Sequence, residues 1–159
     1  MSSDAWLPLI GVVLGGGLGA GTTYLVDRSR WNRENEESQR RTQMAAYTTF
    51  AVAAKDTMLL LYRVAADLGW DDQTDPLPLV EARPLLSANL HQRDRAFERV
   101  VMIGDAEVVQ TARNWVPSIY ALRAAVRSGI GDRVTWQALV ATANDGRVQF
   151  ERRAREAAL

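Results

Sequence analysis

The chain contains no cysteine and a single histidine, His91. The first absence excludes disulfides, thiolate metal sites, cysteine nucleophiles and lipidation at cysteine. The second rules out histidine-rich metal sites and leaves histidine-based catalysis one candidate. There is no excess charge of either sign, with 19 Lys+Arg against 19 Asp+Glu. That balance argues against nucleic acid as a partner, because such partners select a basic surface. Lysine is nearly absent too: every basic residue except Lys55 is arginine. No run alternates apolar and polar residues as a half-buried strand does, so a sheet is not expected. What remains, in 159 residues, is enough chain for one ordinary core.

The most distinctive stretch lies near the start. Residues Ala5 to Val26 carry no charge and are bracketed by Asp4 and Asp27. As a helix, these residues would rise about 33 Å, sufficient for a hydrocarbon core of about 30 Å. Trp6 and Tyr24 stand near its ends, where aromatic rings favour the headgroup region. Pro8 falls in the first turn, where a missing N–H costs nothing. The expectation is a single transmembrane helix in residues 1–26. A cleaved signal peptide is the competing reading, but its basic leading region is missing. Arg28, Arg30 and Arg33 follow immediately, with no Lys or Arg before the segment. The positive-inside rule then puts the N-terminus outside and the C-terminal domain in the cytoplasm.

Glycine is unusually dense in that segment. Gly16 to Thr23 approximates a phosphate-binding loop, but Thr22 stands where the lysine must reach the phosphates. Gly15-x-Gly17-x-x-Ala20 mimics a dinucleotide fingerprint without the second strand it requires. Spacing offers a better role. Gly11, Gly15 and Gly19 recur every four residues on one helix face, which lets two helices approach closely in lipid. Homo-oligomerisation through this face is expected.

Residues 27–43 are almost wholly polar, with Glu36–Arg40 and Glu37–Arg41 at i,i+4 spacing. They read as a helical stalk beside the membrane. From residue 44 the pattern changes: Met44, Tyr47, Ala51, Ala54, Met58, Leu61, Ala65 and Leu68 follow 3-4 spacing. Phe50, Leu60 and Val64 widen the stripe beyond a coiled-coil seam. Residues 71–84 hold three prolines and read as a loop. A second helix is expected from about Pro84 to Ile103, burying Leu86, Leu90, Phe97, Val100 and Val101, with Gly104 as its stop. Asp105 caps a third helix whose apolar face is Val108, Ala112, Trp115, Ile119, Leu122 and Val126. Pro117 should kink it, and Gly129 and Gly131 end it. The last helix, about Thr135 to Ala158, should bury Trp136, Leu139, Ala143, Phe150 and Ala154, weakened in its middle by Gly146. The expected fold class is therefore all-α, with a transmembrane helix, a stalk and an antiparallel four-helix bundle over residues 44–159.

Chemistry is hard to find. Di-metal bundles need Glu-x-x-His units, and Ala88 precedes His91 at that spacing. His91, Asp94 and Glu98 share a face, yet Arg95 and Arg99 interleave with them as on a solvated surface. Arg147, Arg152, Arg153 and Arg155 are offset by Asp145, Glu151 and Glu156. No nucleophile elbow is present. Neither catalytic residues nor a metal or cofactor site is assigned.

Three segments carry a resemblance: Tyr47-Thr-Thr-Phe50-Ala-Val-Ala53-Ala54, Gly104-Asp-Ala-Glu107-Val108 and Phe150-Glu-Arg-Arg-Ala154-Arg155. With the glycine-rich leading segment, the chain resembles a broad group of mostly actinobacterial, single-pass membrane proteins of uncharacterised function. The resemblance implies the architecture above and supplies no activity. The functional expectation is a membrane-anchored bundle working by protein–protein interaction, as scaffold, adaptor or regulator, with the lipid bilayer and a cytoplasmic protein as partners. A ligand binder or enzyme with a pocket between helices near Pro117, and a secreted bundle, are the alternatives.

Overall fold

The computed structural model places helix α1 at Leu7–Asp67, α2 at Leu79–Ile103, α3 at Ala106–Ser128 and α4 at Arg133–Glu156. Side chains are described for residues 35–72 and 75–158. The expected transmembrane segment, with Gly11, Gly15 and Gly19 and the boundary residues Arg28, Arg30 and Arg33, lies outside these described residues. Among the described residues no helix is long and apolar enough to cross a membrane, and no strand occurs.

The chain divides into two units, Met1–Arg41 and Thr42–Leu159. In the first, Arg41 pairs with Glu37 at 3.1 Å on an exposed helix surface. Such a pair contributes only about 0.3–0.5 kcal/mol.

The second unit is an all-helical bundle. Tyr47 meets Phe150 edge-on at 6.3 Å, and Tyr62 meets Trp136 at 6.0 Å, so α4 runs opposite to α1. Gln43 donates to the Ile103 carbonyl at 2.8 Å, whereas the Leu77 N–H donates to the Arg63 carbonyl at 3.0 Å. That reverses α2 against α1 as well. The Asp105 N–H donates to the Tyr47 hydroxyl at 2.8 Å, and Trp115 packs on Phe50 at 5.5 Å, so α3 runs with α1. Successive helices therefore alternate in direction.

The apolar stripes read from the sequence meet at the centre. Phe50 is fully buried and lies 5.7 Å from Phe97, 5.5 Å from Trp115 and 5.1 Å from Phe150. Tilted and edge-on aromatic pairs of this kind add about 0.5–1.5 kcal/mol each beyond area burial. Every expected core residue of α3 is buried. Leu68 is exposed, because α1 has ended at Asp67. The Trp70 N–H reaches back to the Ala65 carbonyl and the Gly69 N–H to that of Ala66, with Gly69 at φ 77°. This pairing closes the helix with a left-handed residue, a conformation that glycine adopts without strain. It also turns Trp70 into the core.

Two expectations are corrected. Helix α2 begins at Leu79 rather than near Pro84, and the loop is correspondingly shorter. The Pro78 carbonyl accepts from the Glu81 and Ala82 N–H groups, and Ala82 is fully buried, so packing draws the first turn into the helix. Pro84 is tolerated there because it lies on the exposed side and the carbonyl it leaves unpaired, that of Val80, belongs to an exposed turn. The second correction concerns Val101, which is 37% exposed, whereas Val100 takes the core position. Pro117 sits on the exposed face of α3, which continues through it.

Candidate functional site

Helix α1 places Lys55, Met58, Leu59 and Tyr62 on one face by their 3-4 spacing. Helix α4 sets Asn144 and Arg147 against them. Between the two lies a cavity of about 310 Å³, also lined by Asp56. Met58 is part of the core, while Leu59 is half exposed, so the cavity joins the bundle interior to its surface.

Two of its residues bury a polar atom: Arg147 Nε has no hydrogen-bond partner, and the Tyr62 hydroxyl has only Asn144 beside it. An unsatisfied buried group of this sort costs about 1–3 kcal/mol. Burial, followed by the negative charge of Asp71, pushes the Tyr62 phenol up to about 12. The charge of Arg147 and the neighbouring Asn144 oppose that rise. Tyr62 is therefore protonated at neutral pH, with its hydroxyl buried beside the cavity. Arg147 is held at its other end by Glu151, 3.6 Å from Nη1, which leaves Nε as a donor. With Lys55 and Asp56 of opposite charge also in the lining, the site sets polar groups beside an apolar wall. A carbonyl or carboxylate attached to an apolar body matches that arrangement.

A second cavity of about 310 Å³ opens where α3 begins and α4 ends, lined by residues that include Glu107, Arg153 and Glu156. Its one cationic residue is already engaged: Arg153 lies 3.1 Å from Glu107 and 2.8 Å from Glu156. Pro117 lines neither cavity.

The residues weighed from the sequence do not assemble into a site. His91 and Glu98 are exposed, and Asp94 is engaged by Arg93, which donates from Nη2 at 2.6 Å and from Nε at 3.1 Å. Among the described residues no group of three or more His, Asp or Glu could hold a metal ion. Trp115 and Trp136 are buried in the core, and Trp136 donates to Asp71 at 2.7 Å. The arginines of α4 include two further i,i+4 or i,i+3 pairs, Arg152–Glu156 and Arg153–Glu156.

Sequence reasoning did not single out Lys55 or Tyr62 as site residues, and it placed Arg147 only among the charge-balanced arginines of the last helix. Nothing in the local pattern places Arg147 opposite Tyr62. Comparison with protein families, with curated proteins and with solved structures finds no match to this chain.

Proposed function

We propose that this chain is a membrane-anchored helical-bundle protein that acts by binding other proteins, as a scaffold, adaptor or regulator. The observation that carries the reading is the uncharged segment from Ala5 to Val26, followed at once by Arg28, Arg30 and Arg33. The segment anchors the chain, with its N-terminus outside and the bundle in the cytoplasm. Gly11, Gly15 and Gly19 provide a face through which two copies associate. The bundle serves as the binding body.

Fractionation tests the anchor. The full-length protein should stay with membranes through an alkaline carbonate wash, and a reporter after Leu159 should be active in the cytoplasm. Release into the wash, or a reporter active only outside, would overturn the reading. Crosslinking in intact membranes should trap a dimer that Gly15→Ile removes. Intact N-terminal mass from the same membranes separates the anchored chain from a cleaved, secreted one.

A second reading, a small-ligand binder, is favoured by the cavity between α1 and α4. Under it, small aliphatic carboxylates should raise the thermal midpoint of the full chain, and Tyr62→Phe should abolish the rise. No shift at saturating ligand would dismiss it.

A further inference from the structure

A third cavity lies at the end of the bundle where α2 begins and α3 finishes. It encloses about 390 Å³ and is lined by Leu79, Arg83, Leu86 and Ser87 of α2 and by Arg123 and Arg127 of α3. Arg83 and Ser87 are four residues apart, as are Arg123 and Arg127, so each pair stands on one face of its helix. Three guanidinium groups thus share one cavity, and none of its lining residues is acidic.

Several other arginines of the bundle are paired, although Arg99 and Arg113 make no ion pair among the described residues. Arg63 pairs with Asp75, Arg93 with Asp94, Arg133 with Asp72 and Arg147 with Glu151. Arg83, Arg123 and Arg127 take part in no ion pair or side-chain hydrogen bond among the described residues. Like charges gathered without a counter-charge repel one another, and an anion seated between them would relieve that repulsion. Guanidinium is planar, always charged and forked, which suits it to phosphate oxygens. The Ser87 hydroxyl adds a donor, and Leu79 and Leu86 supply an apolar wall. Two or more phosphates would match three arginines better than one, and the space fits a small molecule rather than a nucleic-acid backbone.

We propose that the cavity between α2 and α3 binds a small anion carrying two or more phosphate groups. The site is independent of the anchored, protein-binding reading above and of the cavity between α1 and α4. The ligand is either inorganic or the phosphate end of an organic molecule, and both present the same chemistry to the arginines.

Calorimetric titration of the detergent-solubilised full-length protein tests it, with pyrophosphate, orthophosphate and ADP as probes. Pyrophosphate should give a saturable isotherm at least about tenfold tighter than orthophosphate. Arg123→Gln and Arg127→Gln should each weaken pyrophosphate by about tenfold or more, while Arg152→Gln, on a distant paired arginine, leaves it unchanged. ADP tighter than pyrophosphate identifies an organic ligand, and equal affinities identify an inorganic one; either supports the site. Hydrogen exchange on the wild type guards against misfolded variants, with pyrophosphate slowing exchange around residues 83–87 and 123–127. Absence of saturable binding by the wild type overturns the proposal. So does an equal loss in Arg152→Gln, or exchange protection confined to other helices.

Discussion

Gly146 lies directly against Trp115. A Cβ placed on Gly146 would come within 2.9 Å of Trp115 Cδ1 and 3.2 Å of its Cα. The glycine that a local reading treats as a weakness in α4 is what allows α4 to close on α3. Gly146→Ala should therefore destabilise the bundle by about 1 kcal/mol net. Overpacking costs about 1–3 kcal/mol, and the helix preference for Ala over Gly returns about 1 kcal/mol. Urea unfolding should show a lower midpoint at unchanged slope. A higher midpoint would mean that Trp115 yields freely.

Arg93 is fully buried in α2, paired with an Asp94 whose side chain is 47% exposed. Its guanidinium carbon also lies 4.5 Å from the centre of the Tyr120 ring, and its Nη1 has no hydrogen-bond partner. A buried charge left alone is costly, whereas an apolar replacement of similar shape is often harmless. Asp94→Ala should cost about 2–3 kcal/mol, less than a wholly buried pair because Asp94 is partly solvated. Arg93→Met should cost under about 1 kcal/mol. The order of the two denaturation midpoints is the check, and the reverse order would refute the assignment.

The Asp71 carboxylate accepts from the Trp136 indole at 2.7 Å and contributes to the raised pKa of Tyr62. Asp71→Asn keeps an acceptor for the indole and removes the charge. Tyr62, raised to about 12, should then titrate at lower pH, while still above an ordinary tyrosine because burial is the larger cause. Absorbance at the phenolate band, compared with Tyr62→Phe, resolves the shift. In the native chain the raised pKa stabilises the fold fully below the ordinary tyrosine value, and that contribution fades as pH climbs towards the folded value.

Asp132 caps α4 by accepting from the Thr135 N–H at 2.7 Å. That backbone bond, then the Thr135 hydroxyl, holds its carboxyl below the ordinary value. The folded state thus binds this proton less tightly than the unfolded one. Its contribution is complete above the ordinary carboxylate value and is lost as pH falls through the lower folded value. Asp132→Asn, which still accepts, should flatten that part of the acid profile. Asp132→Ala should lower stability at neutral pH too. Thermal midpoints measured from neutral to strongly acidic pH distinguish the three.

Helix existence and inward faces were legible because each burial stripe repeats with the period of the helix. Tyr47, Ala54, Met58, Leu61 and Ala65 fall on one side by spacing alone, and all are buried. The start of α2 was not legible. A proline marks a first turn by preference, but the Pro78 carbonyl and buried Ala82 draw that turn in ahead of Pro84. The cavity between α1 and α4 was equally hidden, since Tyr62 and Arg147 are far apart in the chain and their spacing carries no signal.

The sequence by itself determined the number and type of the helices and the Asp105 cap, because these depend on periodicity and short-range hydrogen bonding. It also determined what chemistry the composition lacks. Tertiary structure decided which helix runs beside which, that Gly146 is a packing position, and which arginines find a carboxylate. Those outcomes depend on contacts between distant residues. Arg133 and Arg153 meet Asp72 and Glu107, which lie far from them in the chain, whereas Arg83, Arg123 and Arg127 line a cavity with no acidic residue in its lining.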